Sequence, residues 1–189
     1  MANFYTVTKE ICGKEVKAQF NGISAGLKAI DDSYIDGSQN ISLLKLAKYI
    51  FENVIVEPVM SLEDFDADKV GKEEKRKIGG KQYVAKFNGV VSAMKIIDNS
   101  YIDGTSNLSL EKLSKQMFEK VIVKPEKLTA DDFESMNDFN EVVSFAREVM
   151  QGGEVWEEVN EIIAFGREVM QGNFREEKDT VPTAGASKK

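Results

Sequence analysis

The sequence contains no histidine and one cysteine among its 189 residues. Without histidine, the commonest general base is missing, and so are the Ser-His-Asp and Cys-His nucleophile systems and most catalytic zinc sites. Cys12 alone cannot form an intrachain disulfide, which suits a reducing compartment. Neither phosphate-binding glycine pattern, GxxxxGK[ST] nor GxGxxG, occurs. These absences argue against an enzyme, a bound cofactor and a catalytic metal.

Long apolar runs and an excess of basic charge are also missing. No apolar run approaches the roughly 18 residues that cross a membrane, and residues 1–5 lack the basic and apolar regions of a signal peptide. Lys and Arg number 25 against 32 Asp and Glu, so the net charge is −7. Nucleic-acid binding would need clustered basic charge. We therefore expect a cytoplasmic protein without membrane or nucleic-acid partners, whose acidity suits solubility or a basic protein partner.

What the chain does contain is internal repetition. Residues 11–58 recur as residues 78–125 at an offset of 67 positions, including the blocks Phe-Asn-Gly, Ser-Tyr-Ile-Asp-Gly and Val-Ile-Val. A shorter repeat follows, in which residues 140–152 recur as 160–172. Two tandem modules with a duplicated terminal helix favour a binding or assembly protein over an enzyme.

Each module predicts the same small set of elements. Alternating polarity predicts a β-hairpin over residues 5–20. Apolar residues at helical spacing predict one helix over about 23–31 and a second behind the cap residue Ser42. The β-branched run before Pro58 predicts a short strand that pairs with the hairpin. The fold class is therefore α+β and mostly helical, with two such modules and a duplicated C-terminal helix.

The repeats also predict the domain boundaries. We expect a first module at 1–65, a charged linker at 66–77, a second module with its closing helix at 78–152, a second closing helix at 153–172 and a disordered tail at 173–189.

The first module has no closing helix directly after it. We expect the second closing helix to cover that module, with Ile162, Phe165 and Val169 contacting residues 23–51 of the same chain or of a neighbour.

Aromatic and methionine side chains are the candidate partner-binding residues. The repeated tyrosines either anchor a partner or pack on their own modules. The residues of the closing helices either form core or line a groove, and the tryptophan lies between the two helix copies. The candidates are Tyr34, Tyr101, Phe145, Met150, Trp156, Phe165 and Met170.

The layout of one module resembles a known family. The Val-Ile-Val-x-Pro stretch, the Asp-Asp-Phe segment at 131–133 and the closing Phe-Asn-Glu-Val-Val-Ser-Phe helix at 139–145 are similar to the tail assembly chaperones of long-tailed bacteriophages that infect Gram-positive bacteria. The resemblance covers residues 10–65 and 77–152. This chain departs from the family pattern in being doubled, which leaves its stoichiometry and self-association open.

The resemblance implies a non-enzymatic protein of the host cytoplasm. Family members bind the tape-measure protein, keep its long apolar helices soluble, recruit tail-tube subunits and leave before the tail matures. The alternative is an acidic, phage-encoded inhibitor of a host nucleic-acid-binding defence protein, whose carboxylates imitate phosphates. An imitator would line its acids along one face, whereas here they alternate with lysines, as in residues 72–77.

We predict that the purified protein shows no turnover and holds no tightly bound metal. The acidic stretch that begins at Asp32 superficially resembles a calcium loop, but Tyr34 and Leu43 stand at positions three and twelve, where a calcium loop needs oxygen ligands. Elemental analysis of the purified chain checks this. A stoichiometric ion, or a calcium-dependent rise of several degrees in melting temperature, would contradict it.

Overall fold

A computed structural model describes residues 4–66 and 68–173. The first module consists of β1 (Tyr5–Ile11), β2 (Lys14–Phe20), α1 (Ile23–Asp32), α2 (Leu43–Asn53), β3 (Ile55–Glu57) and a first 3-10 turn (Leu62–Phe65). The second consists of β4 (Glu73–Ile78), β5 (Lys81–Lys86), α3 (Val90–Asp98), α4 (Leu110–Lys120), β6 (Ile122–Lys124) and a second 3-10 turn (Ala130–Asp132). The closing helices α5 (Met136–Gln151) and α6 (Glu154–Met170) follow. The α+β class and the tandem modules are confirmed.

Each module contains a three-stranded antiparallel sheet in which the hairpin's second strand is central. In the first hairpin, Cys12 and Gly13 both have positive φ, as a tight turn between twisted strands requires. The strand after the second helix pairs with the hairpin as predicted, with Ala18 opposite Ile55. The equivalent pairing in the second module places Ala85 opposite Ile122.

The expectation of a charged linker over residues 66–77 is wrong in its second half. Residues 73–78 form β4, which pairs with β5 from Glu73 opposite Lys86 to Ile78 opposite Lys81. Ile78 is the only buried residue of this strand, so its sequence shows no apolar alternation. Strands at the edge of a sheet tolerate charged side chains on both faces because backbone hydrogen bonds hold them.

Equivalent aromatic positions of the two modules are buried alike. Phe20 and Phe87 are 8% and 4% exposed, and Phe51 and Phe118 are 5% and 3% exposed. After the repeated proline, Pro58 in the first module and Pro125 in the second, the offset grows by one residue. The second module has one additional residue there, Lys127, with φ 57°. Beyond it, equivalent positions therefore lie 68 residues apart.

The closing helices divide between the modules. Helix α5 packs on β4, β5, α3 and α4, whereas α6 packs on β1, β2, α1, α2 and the first 3-10 turn. The left-handed Gly152 ends α5 and lets the chain turn back toward the first module. Helix α6 approaches α2 closely, since a Cβ on Gly166 would overlap Cγ2 of Ile50. This is the arrangement that the mismatch between the two repeats predicts.

None of the described helices is long and apolar enough to cross a membrane. Most of the tail expected at 173–189 lies outside the described residues, which end at Asn173.

We predict that truncation after Gly153 destabilises the first module selectively. It removes α6 and uncovers apolar surface such as Ile50, at a cost of about 25 cal/mol for each Å² exposed. Hydrogen exchange should accelerate in β2 and α2 of the truncated chain. The matched elements β5 and α4, which α5 covers, serve as the internal control and should keep their protection. Equal acceleration in both modules would contradict this assignment of α6.

Candidate protein-binding surfaces

The contact between the two modules centres on the carboxylate of Asp98, the last residue of α3. It accepts hydrogen bonds from Ser42 Oγ at 2.6 Å and from the backbone N–H groups of Leu43 at 2.8 Å and Leu44 at 3.2 Å. These donors stand at the start of α2, where N–H groups have no partner within the helix and the helix dipole favours negative charge. One module thus caps a helix of the other.

Asp66 makes a second cap in the opposite direction. Its carboxylate accepts the backbone N–H of Val90 at 2.8 Å, at the start of α3. Gly89 allows this close approach, because a Cβ there would overlap the carboxylate. Burial raises the pKa of Asp66, while the hydrogen bond from Val90 opposes that rise. The amide of Asn40 also donates to the carbonyl of Thr105. The first module and Asp66, which directly follows it, therefore hold both ends of α3.

Between these two caps lies an apolar contact. Residues Val90, Met94 and Asp98, here called the α3 stripe, recur every four residues and so share one face of the helix. Val90 and Met94 are fully buried, and α3 packs against α2 and the first 3-10 turn.

The equivalent residues of the first module are exposed. Ile23, Leu27 and Asp31, here called the α1 stripe, lie 67 positions before the α3 stripe. Ile23 is 54% and Leu27 59% exposed, and Asp31 is exposed. The same helix face is thus covered in one module and open in the other.

Each module also carries a groove between its second helix and the segment after its short strand. The first groove has a volume of about 510 Å³ and the second about 1020 Å³. Their shared apolar positions are Phe51, Ile55, Val56 and Met60 in the first and Phe118, Ile122, Val123 and Leu128 in the second.

The second groove is larger because it is open at the end that lies along the beginning of α4. It extends to Leu110, Glu111 and Ser114 at the beginning of α4. The corresponding end of α2 is covered by α3. Leu62, which is 2% exposed in the first 3-10 turn, is replaced by the exposed Ala130 in the second.

Charged side chains surround the floor of the second groove, and most are acidic. The lining includes two lysines, Lys115 and Lys127, and four carboxylates, from Glu111, Glu119, Glu126 and Asp131. An apolar floor with an acidic rim suits apolar side chains that are flanked by basic ones.

The candidate residues from the sequence lie elsewhere. Phe145, Met150, Phe165 and Met170 are at most 3% exposed, so they form core and not a binding surface. The closing helices pack these side chains on the two sheets. The expectation that these four residues bind a partner is therefore wrong. Trp156 is half-buried against the same core.

The two tyrosines occupy equivalent loops with structural contacts. Tyr34 forms a β-bridge with Ile41, and Tyr101 forms one with Leu108. Tyr34 is 40% exposed and Tyr101 half-buried, so neither residue is part of the buried core. None of the seven candidates lines either groove. The sequence analysis did not predict the grooves. The sequence feature that could have indicated them is the Phe-x-x-x-Ile-Val pattern, which occurs before the proline in each module.

The described part of the chain contains no group of three or more His, Cys, Asp or Glu side chains that could hold a metal ion. Desolvation and the nearby carboxylates of Glu161 and Glu158 raise the pKa of the Cys12 thiol, which disfavours the reactive thiolate.

Comparisons with protein families, with curated proteins and with solved structures found no match to this chain.

We predict that Asp98→Ala lowers the free energy of unfolding by about 1–3 kcal/mol, because it leaves the donors at the start of α2 without their acceptor. The matched control is Asp31→Ala, which removes an exposed carboxylate and should change stability by less than about 0.5 kcal/mol. Urea denaturation of both variants measures the difference. Equal effects would show that the cap contributes nothing to stability.

Proposed function

We propose that this protein is a non-enzymatic tail assembly chaperone that binds apolar segments of a protein partner in its two grooves. The supporting observation is the repetition of one groove in both modules, with an apolar floor and a charged rim. The resemblance described above names the partners as the tape-measure protein and the tail-tube subunits. The site of action is then the host cytoplasm, and the protein is not expected in the mature virion.

The chemistry of the grooves suits a polypeptide. The shared floor consists of aliphatic and aromatic side chains, and each buried apolar group of a partner contributes about 25 cal/mol per Å². Met60 in the first groove has an unbranched side chain that adapts to irregular surfaces. Such a floor accepts many apolar sequences, as a chaperone for a long helical partner requires.

Two grooves on one chain also favour a long partner. A segment held in one groove raises the local concentration of its neighbouring segments at the other, and this strengthens binding without new contacts. The tape-measure protein, with long apolar helices, meets this condition. The acidic rim would select segments whose apolar residues are flanked by lysine or arginine.

We predict that a negative charge in either groove weakens partner binding without unfolding the chaperone. Suitable variants are Val59→Asp in the first groove, where the side chain is 94% exposed, and Val123→Asp in the second, where it is half-buried. The matched control is Val70→Asp, at a position that is 53% exposed and outside both grooves. Co-expression with the tape-measure protein of the same phage, followed by co-purification, measures binding, and thermal unfolding checks the fold.

The expected result is a loss of co-purified tape-measure protein of about tenfold or more in each groove variant, or about 1.4 kcal/mol, with no change in the control. Equal recovery with all three variants would contradict groove binding. Failure of every tail protein to co-purify would contradict the chaperone function. Capture of a host nucleic-acid-binding protein in its place would support the acidic inhibitor.

A further inference from the structure

We propose that the second groove selects an amphipathic helix of about three turns whose apolar face is flanked on both sides by lysine or arginine. The occupant is a helical segment of the partner polypeptide, and the first groove is too short to hold it. This inference rests on the proposed function, because it names the segment that one of the two grooves accepts. The two grooves therefore differ in role although their modules repeat.

The second groove is the longer of the two along its helical wall. Its lining on α4 runs from Leu110 to Glu119, whereas the lining of the first groove on α2 runs from Lys48 to Glu52. At about 1.5 Å per residue, these stretches measure about 14 Å and about 6 Å. Because one helical turn rises about 5.4 Å, only the second groove accommodates close to three turns.

A contact within the chain indicates that this place accepts a helix. In the first module, α3 covers the beginning of α2, and the second groove is open at the equivalent beginning of α4. The lining residues Leu110, Ser114 and Phe118 follow one another every four residues and so form one ridge of α4. Such a ridge packs against the ridges of a second helix. A helical partner segment therefore matches the shape of the second groove.

Acidic side chains border the apolar floor on both walls of the second groove. Each wall contributes two carboxylates and one lysine, which are Glu111, Lys115 and Glu119 on α4, and Glu126, Lys127 and Asp131 after β6. All of these residues are exposed, and both walls carry more negative than positive charge. Basic residues on both sides of a helix's apolar face would meet these walls, whereas acidic residues would be repelled.

Two of the carboxylates occur only in the second groove. Glu111 replaces Leu44, and Glu126 replaces Val59. The first turn of α2 contains no acidic residue and accepts the carboxylate of Asp98 from the second module. The first turn of α4 contains Glu111, which already supplies the negative charge that the helix dipole favours. The beginning of α4 is therefore suited to a basic helix and not to an acidic face such as that of α3.

Synthetic peptides of about 18 residues test this selection on the full-length chain. All carry the same apolar stripe on an alanine background, with leucine at positions i, i+4, i+7 and i+11. The positions that flank the stripe are lysine in one peptide, glutamine in the second and glutamate in the third. Fluorescence anisotropy of the labelled peptides measures their dissociation constants at low salt and at about 1 M salt, where the Debye length is about 3 Å.

Two substitutions form a matched pair, Glu119→Lys in the second groove and Glu52→Lys in the first. The two glutamates occupy equivalent positions of α4 and α2, and both are exposed. The variants should therefore keep their fold, which circular dichroism checks. The affinity for the lysine peptide should fall about tenfold with Glu119→Lys and change less than about twofold with Glu52→Lys.

The wild type should bind the lysine peptide about tenfold more tightly than the glutamine peptide at low salt, and the glutamate peptide least tightly. These differences should shrink at high salt. Equal affinities for the lysine and glutamine peptides would overturn the charge selection, and equal losses in the two variants would overturn its assignment to the second groove. Binding of none of the peptides, as expected if a second copy of this chain occupied the groove, would also overturn the proposal. The chaperone function is judged separately by co-purification, since no tail protein enters the peptide experiment.

Discussion

The packing of α6 against β1, β2 and α2 holds the two ends of this chain together. A three-stranded sheet with two short helices has one face without cover, and the first module is followed by no closing helix of its own. Helix α6 supplies that cover from the far end of the sequence, and the glycine replacing an alanine in its repeat, Gly166, lets it approach Ile50. Helix α5 meets the same need in the second module. Both modules are therefore built in the same way, with one closing helix packed on a three-stranded sheet and two short helices.

The caps between the modules convert this repetition into a directional arrangement. Asp98 binds the start of α2, and Asp66 binds the start of α3. Each carboxylate satisfies N–H groups that a helix cannot satisfy by itself. Because the first module presents one face and the second presents another, the pair has two unlike ends. The exposed leucines at those ends follow from this geometry, and the groove of the second module is open where that of the first is covered.

Sequence periodicity predicted most of the secondary structure because short-range rules decide it. The first hairpin, the cap at Ser42 and the short strand before Pro58 were all found as expected. The edge strand β4 was missed, because its charged residues carry no apolar alternation and only pairing with β5 reveals it. The phenylalanines and methionines of the closing helices were placed among the binding residues because a helix's apolar face looks the same whether it covers a core or a partner. Their burial required the sheets beneath them.

The sequence by itself determined that there are two modules, which elements each contains and that one module lacks its closing helix. Those properties follow from the spacing of residues along the chain, and the repeat presents the same spacing in both modules. Only the tertiary structure decided which equivalent residues differ in environment. Ile23 and Val90 occupy the same position of the same helix, yet one is exposed and the other buried. The local sequence and the helix position of these two residues do not account for the difference in exposure. The difference arises because the modules meet through unlike faces, and that contact depends on where the chain places one module relative to the other.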